Sequence, residues 1–377
     1  MLQGQYECYA VAPPGLETLT ARELRTLGLA PWRVEPGGVE FRCTPEGLYA
    51  ANLELRTASR VLVRMARFHA STFYELERRA KRVSWERFTA SGVALQFRIT
   101  SRESKLYHQR AVAERLAAAA ERLAGVRAAP HLAGEDPGGD AQLVVVRLVH
   151  DECTLSADSS GAHLHHRGYR LASAKAPLRE NLAAAMVLAA GWEPSAPLVD
   201  PLAGSGTIPI EAALIARRIA PGLSRAFGFE RWPEFDPACW SRLVAAARAR
   251  ALPRAPCRIL GSDRDAGAVA AAAANAERAG VAGDVELRHC AVSAIEPPPG
   301  PGWVVTNPPY GVRVGERAKL RNLYAQLGNV LRRRCPGCAL AMLSAHPELE
   351  RQVGVPLQPL FDTTNGGLRV RLVRGTI

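Results

Sequence analysis

Asn307-Pro308-Pro309-Tyr310 is the segment of this chain whose residue types point most directly to chemistry. Two prolines hold an extended backbone, so the carbonyls of the loop are not consumed by a helix. The side-chain oxygen of Asn307 and the Pro308 carbonyl can together accept both protons of an amino group. Tyr310 offers a ring face on which a planar base can stack. A nitrogen whose lone pair is delocalised into a ring needs such help before it can attack an electrophile. An ordinary proline-rich turn is the competing reading, and two motifs upstream weigh against it.

The first of these is Asp200-Pro201-Leu202-Ala203-Gly204-Ser205-Gly206-Thr207, followed by the apolar run 208–216. An acid closes a short β-branched stretch, and small residues then turn the chain into a helix. Glycines there let a ligand come close to the backbone, and a helix N-terminus offers unpaired N–H groups. The dinucleotide pattern GxGxxG is excluded because Pro209 stands at the third glycine position. A Walker A loop is excluded because no Gly-Lys-Ser/Thr follows. The second motif is Gly261-Ser262-Asp263. An acid at that strand end can accept hydrogen bonds from both hydroxyls of a ribose, although Asp in such a place also caps helices.

These motifs need elements to carry them. From Pro197 onward, short apolar runs at 198–200, 258–263, 285–287, 303–306, 339–344 and 367–374 alternate with helical stretches, which predicts an α/β fold with a doubly wound, mostly parallel sheet. Residues 215–256 read as an insertion between its first two strands. The front half reads as mixed α+β. Strands are expected at 6–11, ending at 41, and at 60–68, 94–100, 143–150 and 153–156. Helices are expected at 16–27, 73–83 and 111–123. His131–Gln142, rich in Gly, Pro and Asp, reads as a loop, and a further helix is expected at 178–191.

Composition bounds the setting. The 377 residues suggest two or three domains, and 22% charged residues with 47% hydrophobic exclude wholesale disorder. No apolar run approaches the roughly 18 residues of a membrane span. The first residues lack a basic n-region, and eight cysteines in so long a chain are no disulfide scaffold. A cytoplasmic monomer is expected. The formal charge of +12 is unevenly spread: residues 51–110 hold thirteen basic side chains against five acidic ones. Arg56, Arg60, Arg64, Arg78, Arg79, Lys81 and Arg82 therefore form a candidate footprint for a phosphate backbone, with a solvated helix face as the alternative.

The three motifs resemble motifs I, II and IV of class I S-adenosylmethionine-dependent methyltransferases, in the branch that methylates exocyclic amines. The likeness continues through Asp158-Ser159-Ser160-Gly161, Leu164 to Arg170 and Ala176 to Glu180. It extends to Gly15-Leu16-Glu17, Gly37 to Phe41 and Asn52 to Leu62. Together these resemble the THUMP-domain RNA guanine-N2 methyltransferases, whose bacterial 23S rRNA and tRNA members share this layout. The resemblance implies a ferredoxin-like part at 1–55, a THUMP-like RNA-binding domain at 56–158, and a Rossmann-like catalytic domain at 159–377 with an antiparallel last strand. It implies S-adenosylmethionine as cofactor, held by Asp200, Pro201, Ala203, Gly204, Ser205, Gly206, Thr207, Asp263, Arg264, Cys290, Ala291 and Asn307. Asn307, Pro308, Pro309 and Tyr310 would form the catalytic loop. Structured RNA, rRNA or tRNA, would be the partner, and no metal would be required. His289-Cys290-Ala291-Val292 departs from the family, which usually carries an acid there. Adenine contacts would then come from the backbone, with Arg264 and Val292 packing on the ring.

Other candidates read as structural. Cys335 and Cys338 form a single CxxC pair without further ligands, and His163, His165 and His166 read as solvated linker residues. Asn365-Gly366-Gly367 marks a hairpin turn from which Asn365 could reach the base, and Arg332-Arg333-Arg334 reads equally as an RNA contact or a helix end. Two rival functions remain: a DNA adenine-N6 methyltransferase, since the same loop serves that amine, and a non-catalytic RNA-binding or assembly factor.

Overall fold

The computed structural model describes residues 4–90, 93–124, 128–130, 141–170, 178–310 and 317–377. The loop expected at 131–142 therefore lies mostly outside the described residues, as do Ala176 and Pro177.

The front half holds β1 (Tyr6–Val11), α1 (Glu17–Thr26), β2 (Pro31–Glu35), β3 (Gly38–Cys43), α2 (Pro45–Glu54), β4 (Arg60–His69) and α3 (Phe73–Ala80). It continues with β5 (Ala94–Arg102), α4 (Gln109–Ala124), β6 (Ala128–Pro130), β7 (Ala141–Val149) and β8 (Glu152–Asp158). Two of its helices begin where a threonine side chain satisfies a free amide: Thr44 accepts from Gly47 N at the start of α2, and Thr72 from Glu75 N at the start of α3. All eight strands form one sheet in the order β2-β3-β1-β4-β8-β7-β5-β6. No break in that sheet coincides with residue 55, because β4 pairs with β1 on one side and β8 on the other.

The rear half holds α5 (Glu180–Ala189), β9 (Leu198–Asp200), α6 (Thr207–Ala216), α7 (Pro237–Arg250), β10 (Ile259–Asp263), α8 (Ala266–Arg278), β11 (Val285–His289) and β12 (Trp303–Thr306). It ends with α9 (Arg317–Arg334), β13 (Ala339–Ser344), α10 (Pro347–Gln352), β14 (Gln358–Asn365) and β15 (Leu368–Thr376). Seven strands run β11-β10-β9-β12-β13-β15-β14, parallel from β11 to β13, with β15 antiparallel to both its neighbours. This is the expected doubly wound sheet. Its strand order reverses between β9 and β12, the switch point at which such sheets bind ligands beyond the strand ends.

The insertion at 215–256 packs forward rather than onto this sheet. Phe227, Phe229, Trp232 and Cys239 are buried in one core with Tyr6, Phe41, Leu48 and Val61 of the front half. Tyr49 stacks on Phe229 at 4.5 Å between ring centroids. Leu16 crosses in the other direction, into the core around α5 and α6. Gly15, at φ +82°, lies so close to β14 that a Cβ would stand 2.0 Å from the Asp362 carbonyl oxygen, so only glycine fits there.

Between the halves, the Asp158–Gly161 segment is a hydrogen-bonded clasp. Arg60 is ion-paired with buried Asp158 and donates to the Gly161 carbonyl. Ser160 Oγ donates to Asn52 Oδ1 at 2.6 Å, and Asn52 Nδ2 to Ser159 Oγ at 2.9 Å. Arg225 of the insertion donates to the carbonyls of Ser160 at 2.9 Å and Ala162 at 2.6 Å.

Candidate active site

A cleft of about 1170 Å³ opens over the carboxyl ends of β9, β10 and β12. Its floor includes Pro201, Leu202, Asp263, Arg264, Ala291, Val292 and the whole Asn307–Tyr310 loop. Single-ligand pockets run roughly 300–1,000 Å³, and this cleft lies just above that range.

Asn307 follows β12 directly, and its side-chain oxygen Oδ1 is buried with no hydrogen-bond partner among the described residues. A buried acceptor left unpaired costs about 1–3 kcal/mol, which a donor entering the cleft would recover. Tyr310 is 9% exposed, and its hydroxyl accepts a 2.6 Å hydrogen bond from Asn365 Nδ2. Burial pushes the phenol above its ordinary range, and the Asn365 donor opposes this. Asn365 also lines the cleft, at the turn where Gly366 (φ +57°) and Gly367 (φ +83°) reverse the chain into β15.

Asp200 does not line the cleft. It is 1% exposed and accepts from Thr306 Oγ1 at 2.7 Å and Leu202 N at 3.1 Å. Burial pushes its carboxyl up to about 7. Its visible work is to tie the end of β12 to the turn after β9. Ala203, Gly204, Ser205, Gly206, Thr207 and Cys290 likewise stand outside the cleft lining. Gly204 N donates to Asp263 Oδ2 at 2.9 Å, and Asp265 N to Oδ1 at 3.0 Å, which fixes the Asp263 carboxylate across the turn. Cys290 N donates to the Asp263 carbonyl at 3.0 Å, joining the Cys290–Val292 segment to the same point. Gly206, at φ +80°, starts α6 with no side-chain cap. By contrast Asp236 and Asp265 cap α7 and α8.

Residues from the joint, quoted above only for their likeness, form the opposite wall: His165, His166, Arg167, Gly168, Arg170, Arg179 and Glu180. Buried Glu180 is paired with Arg170 Nε at 3.3 Å, and Arg167 with Glu211 at 3.5 Å. Burial raises the Glu180 carboxyl, with Arg170 opposing. No spacing signal assigns these residues to the site; the fold over α5 brings them there. Of the three histidines, His166 is exposed as expected, whereas His163 and His165 are half-buried. His165 stacks on His163 at 5.2 Å, and burial pushes it down to about 2. Leu323 and Gln326 of α9 complete the mouth; the sequence pattern implies a helix between the strands at 303–306 and 339–344 but singles out neither residue.

The basic block divides. Arg60 is 3% exposed and spent on Asp158, Arg56 donates to the Ile219 carbonyl at 2.6 Å, and Arg64 pairs with Glu40 at 3.2 Å. These three brace the interior and the joint, which corrects their reading as an RNA footprint. Arg78, Arg79, Lys81 and Arg82 are exposed on and just after α3. Cys335 and Cys338 are buried in the core under β13, where burial pushes the Cys335 thiol up to about 12. Among the described residues, no His/Cys/Asp/Glu group could hold a metal ion, and no helix is long and apolar enough to cross a membrane.

Residues 167–356 match the family described as RMKL-like, methyltransferase domain, and residues 7–62 match the RlmL ferredoxin-like domain. A putative RNA methyltransferase of Synechocystis sp. is 34% identical over 97% of this chain and 95% of its own length. The chain belongs to the RMKL-like methyltransferase family. The ribosomal RNA large subunit methyltransferase K/L of Syntrophotalea carbinolica is 39% identical over 97% of the chain, of which the chain spans about half, 53%. Among solved structures, a putative methyltransferase complexed with SAH superposes with a TM-score of 0.87 at 30% identity, covering 99% of this chain and 98% of that one. A protein titled a predicted N6-adenine-specific DNA methylase, from Listeria monocytogenes, matches with a TM-score of 0.85 at 33% identity, covering 98% and 96%. The ferredoxin-like front and the mixed-sheet methyltransferase fold of this family member agree with the sequence expectation.

Proposed function

We propose that this methyltransferase moves a methyl group from S-adenosylmethionine to the exocyclic N2 amine of a guanine in structured RNA, 23S rRNA first and tRNA next. The unpaired, buried Oδ1 of Asn307 at the switch point carries this reading. It and the Pro308 carbonyl would accept hydrogen bonds from the two amine N–H groups and aim the nitrogen lone pair at the methyl carbon. As the N–CH3 bond forms and the S–CH3 bond breaks, the thioether would leave and the surplus amine proton would pass to water. Tyr310, held by Asn365, stacks on the base, which must leave its helix to enter so enclosed a cleft. Asp263, in the cleft floor, would receive the cofactor ribose, while the Gly204–Gly206 turn and buried Asp200, behind that floor, would support the cofactor's methionine part from outside the lining. The bound cofactor supplies an electrophilic methyl carbon. Transfer is then a single in-line displacement whose rate comes from positioning.

An RNA substrate is supported by the names of the Synechocystis and Syntrophotalea relatives, an RNA methyltransferase and a ribosomal RNA methyltransferase. Residues 56–158, read as a THUMP-like module, would hold it. Exposed Tyr74 and Tyr107 stand on this module with Arg78, Arg79, Lys81 and Arg82, and the Arg78 guanidinium lies 5.9 Å from the Tyr74 ring. Aromatic faces among cations suit unpaired bases.

The test is incubation with methyl-labelled cofactor and separate pools of 23S rRNA, tRNA and DNA, followed by digestion to nucleosides. Label in N2-methylguanosine is the expected result; label in N6-methyladenine of DNA would replace this reading by the name its Listeria relative carries. Asn307→Ala is expected to keep cofactor binding and lose transfer.

A further inference from the structure

Helix α9 has a buried face of Leu320, Tyr324, Leu327 and Leu331 and an outer face whose composition that packing does not explain. Asn322, Gln326, Asn329 and Arg333 are all exposed and follow at intervals of four, three and four, so they form one stripe along the helix. With Ser293 and Arg334 they line a groove of about 540 Å³. Gln326 lines both this groove and the catalytic cleft, so the two are continuous.

The chemistry of the stripe is one-sided. Arg317–Arg334 contains six basic residues and no acidic one. Asn329 Oδ1 already accepts from Arg332 at 2.6 Å, which leaves its Nδ2 hydrogens to donate elsewhere. A solvated helix face normally mixes both signs of charge; this one offers amide and guanidinium donors, the set that contacts phosphate and sugar oxygens.

We propose that the outer face of α9 is the path of the RNA strand flanking the methylated nucleotide, with Asn322, Gln326, Asn329 and Arg333 donating to its sugar–phosphate backbone. The proposal rests on the RNA methyltransferase reading and adds where the catalytic half itself grips the substrate. A base drawn into the cleft drags its neighbours along the cleft rim, and the rim leads onto this stripe through Gln326.

The full chain carrying Asn329→Glu and Arg333→Glu tests this, with fluorescent oligouridylate as the binding probe. About a tenfold loss of affinity is expected, with a shallower salt dependence and unchanged cofactor affinity. Arg333→Gln alone should move affinity the same way by less, which separates lost contacts from damage to folding. Arg248→Glu on exposed α7, outside both grooves, is the control for net charge. Wild-type affinity in the double variant, or an equal loss in the Arg248 control, overturns the path. Failure of the wild-type chain to methylate any RNA, with the double variant still losing affinity, would instead overturn the methyl-transfer reading and leave the path standing.

Discussion

Asn365→Ala isolates the contact that joins the last hairpin to the catalytic loop. Both partners are nearly enclosed, Asn365 at 8% exposure and Tyr310 at 9%, and the bond between them is 2.6 Å. Removing the amide leaves a phenol hydroxyl buried without its donor, which costs about 1–3 kcal/mol. If Tyr310 is the platform for the base, the ring gains freedom that must be removed again at the transition state. A loss of that size corresponds to roughly 5- to 150-fold in the rate of transfer. Asn365 is thus a positioning residue, and a double-mutant cycle separates that role from a direct one. Tyr310→Phe keeps the stacking face but removes the acceptor of the buried Asn365 amide, so by itself it should also cost about 1–3 kcal/mol. In the Asn365→Ala background it should cost nothing further, giving a coupling of about 1 kcal/mol or more. Single-turnover methyl transfer at saturating cofactor and RNA is the assay, with cofactor affinity unchanged throughout. The Tyr310 phenol, already raised by burial and restrained by this donor, should titrate higher still in Asn365→Ala. Wild-type turnover in Asn365→Ala, or strictly additive losses in the cycle, would refute the role given to the hydrogen bond.

Three further expectations concern the frame beneath the site. Gly206→Ala forces a side chain into φ +80° and places its Cβ 2.8 Å from that of Ala272, so urea midpoints should report a loss of about 2–4 kcal/mol; Gly204→Ala, at φ +52° with open space around it, should lose about 1 kcal/mol. Arg60→Met strands Asp158 in the interior and should destabilise the chain by about 3–5 kcal/mol, whereas Arg78→Ala on the exposed face of α3 should stay within about 0.5 kcal/mol, both read by thermal melts. Because burial raises the Asp200 carboxyl from 3.8 to about 7, the folded state takes up a proton there that the unfolded chain has already lost. That contribution is complete below about pH 4 and disappears as pH rises to about 7, on the order of 4 kcal/mol in all. Stability curves of Asp200→Asn should therefore fall less steeply across this interval than those of the wild type, and identical slopes would contradict the assignment.

What could be read from the residues alone follows how local the deciding force is. The strands at 198–200, 303–306 and 339–344 begin and end where expected because each is a short apolar run between turn residues, buried on both faces of a parallel sheet. The edge strand β2 and the outer strand β14 escaped notice. They are largely exposed, carry no clean alternation, and owe their conformation to the partner they pair with. The Asn307–Tyr310 loop stood out because the chemistry proposed for it is packed into four consecutive residues. The wall facing it did not, because Arg167, Arg170 and Glu180 are brought to the cleft by the return of the chain over α5.

The basic block shows why charge counts mislead even when the sum is right. Arg60 sits in a run of arginines that looks uniform along the chain, yet its partner Asp158 lies 98 positions away on the adjacent strand. Of the arginines on β4, Arg60 turns inward to the joint, Arg64 pairs with Glu40 inside the front half, and Arg67 reaches solvent as Arg78, Arg79 and Arg82 do beyond the strand. The clasp has a consequence for substrate handling. Arg225 and the buried aromatics of the 215–256 insertion tie the front module to the catalytic half through Ser159, Ser160 and Gly161. If the front module holds RNA as proposed, so firm a clasp would present it to the cleft at a fixed distance, and the choice of guanine would then be set by the span between the α3 face and Asn307 as much as by contacts to the base.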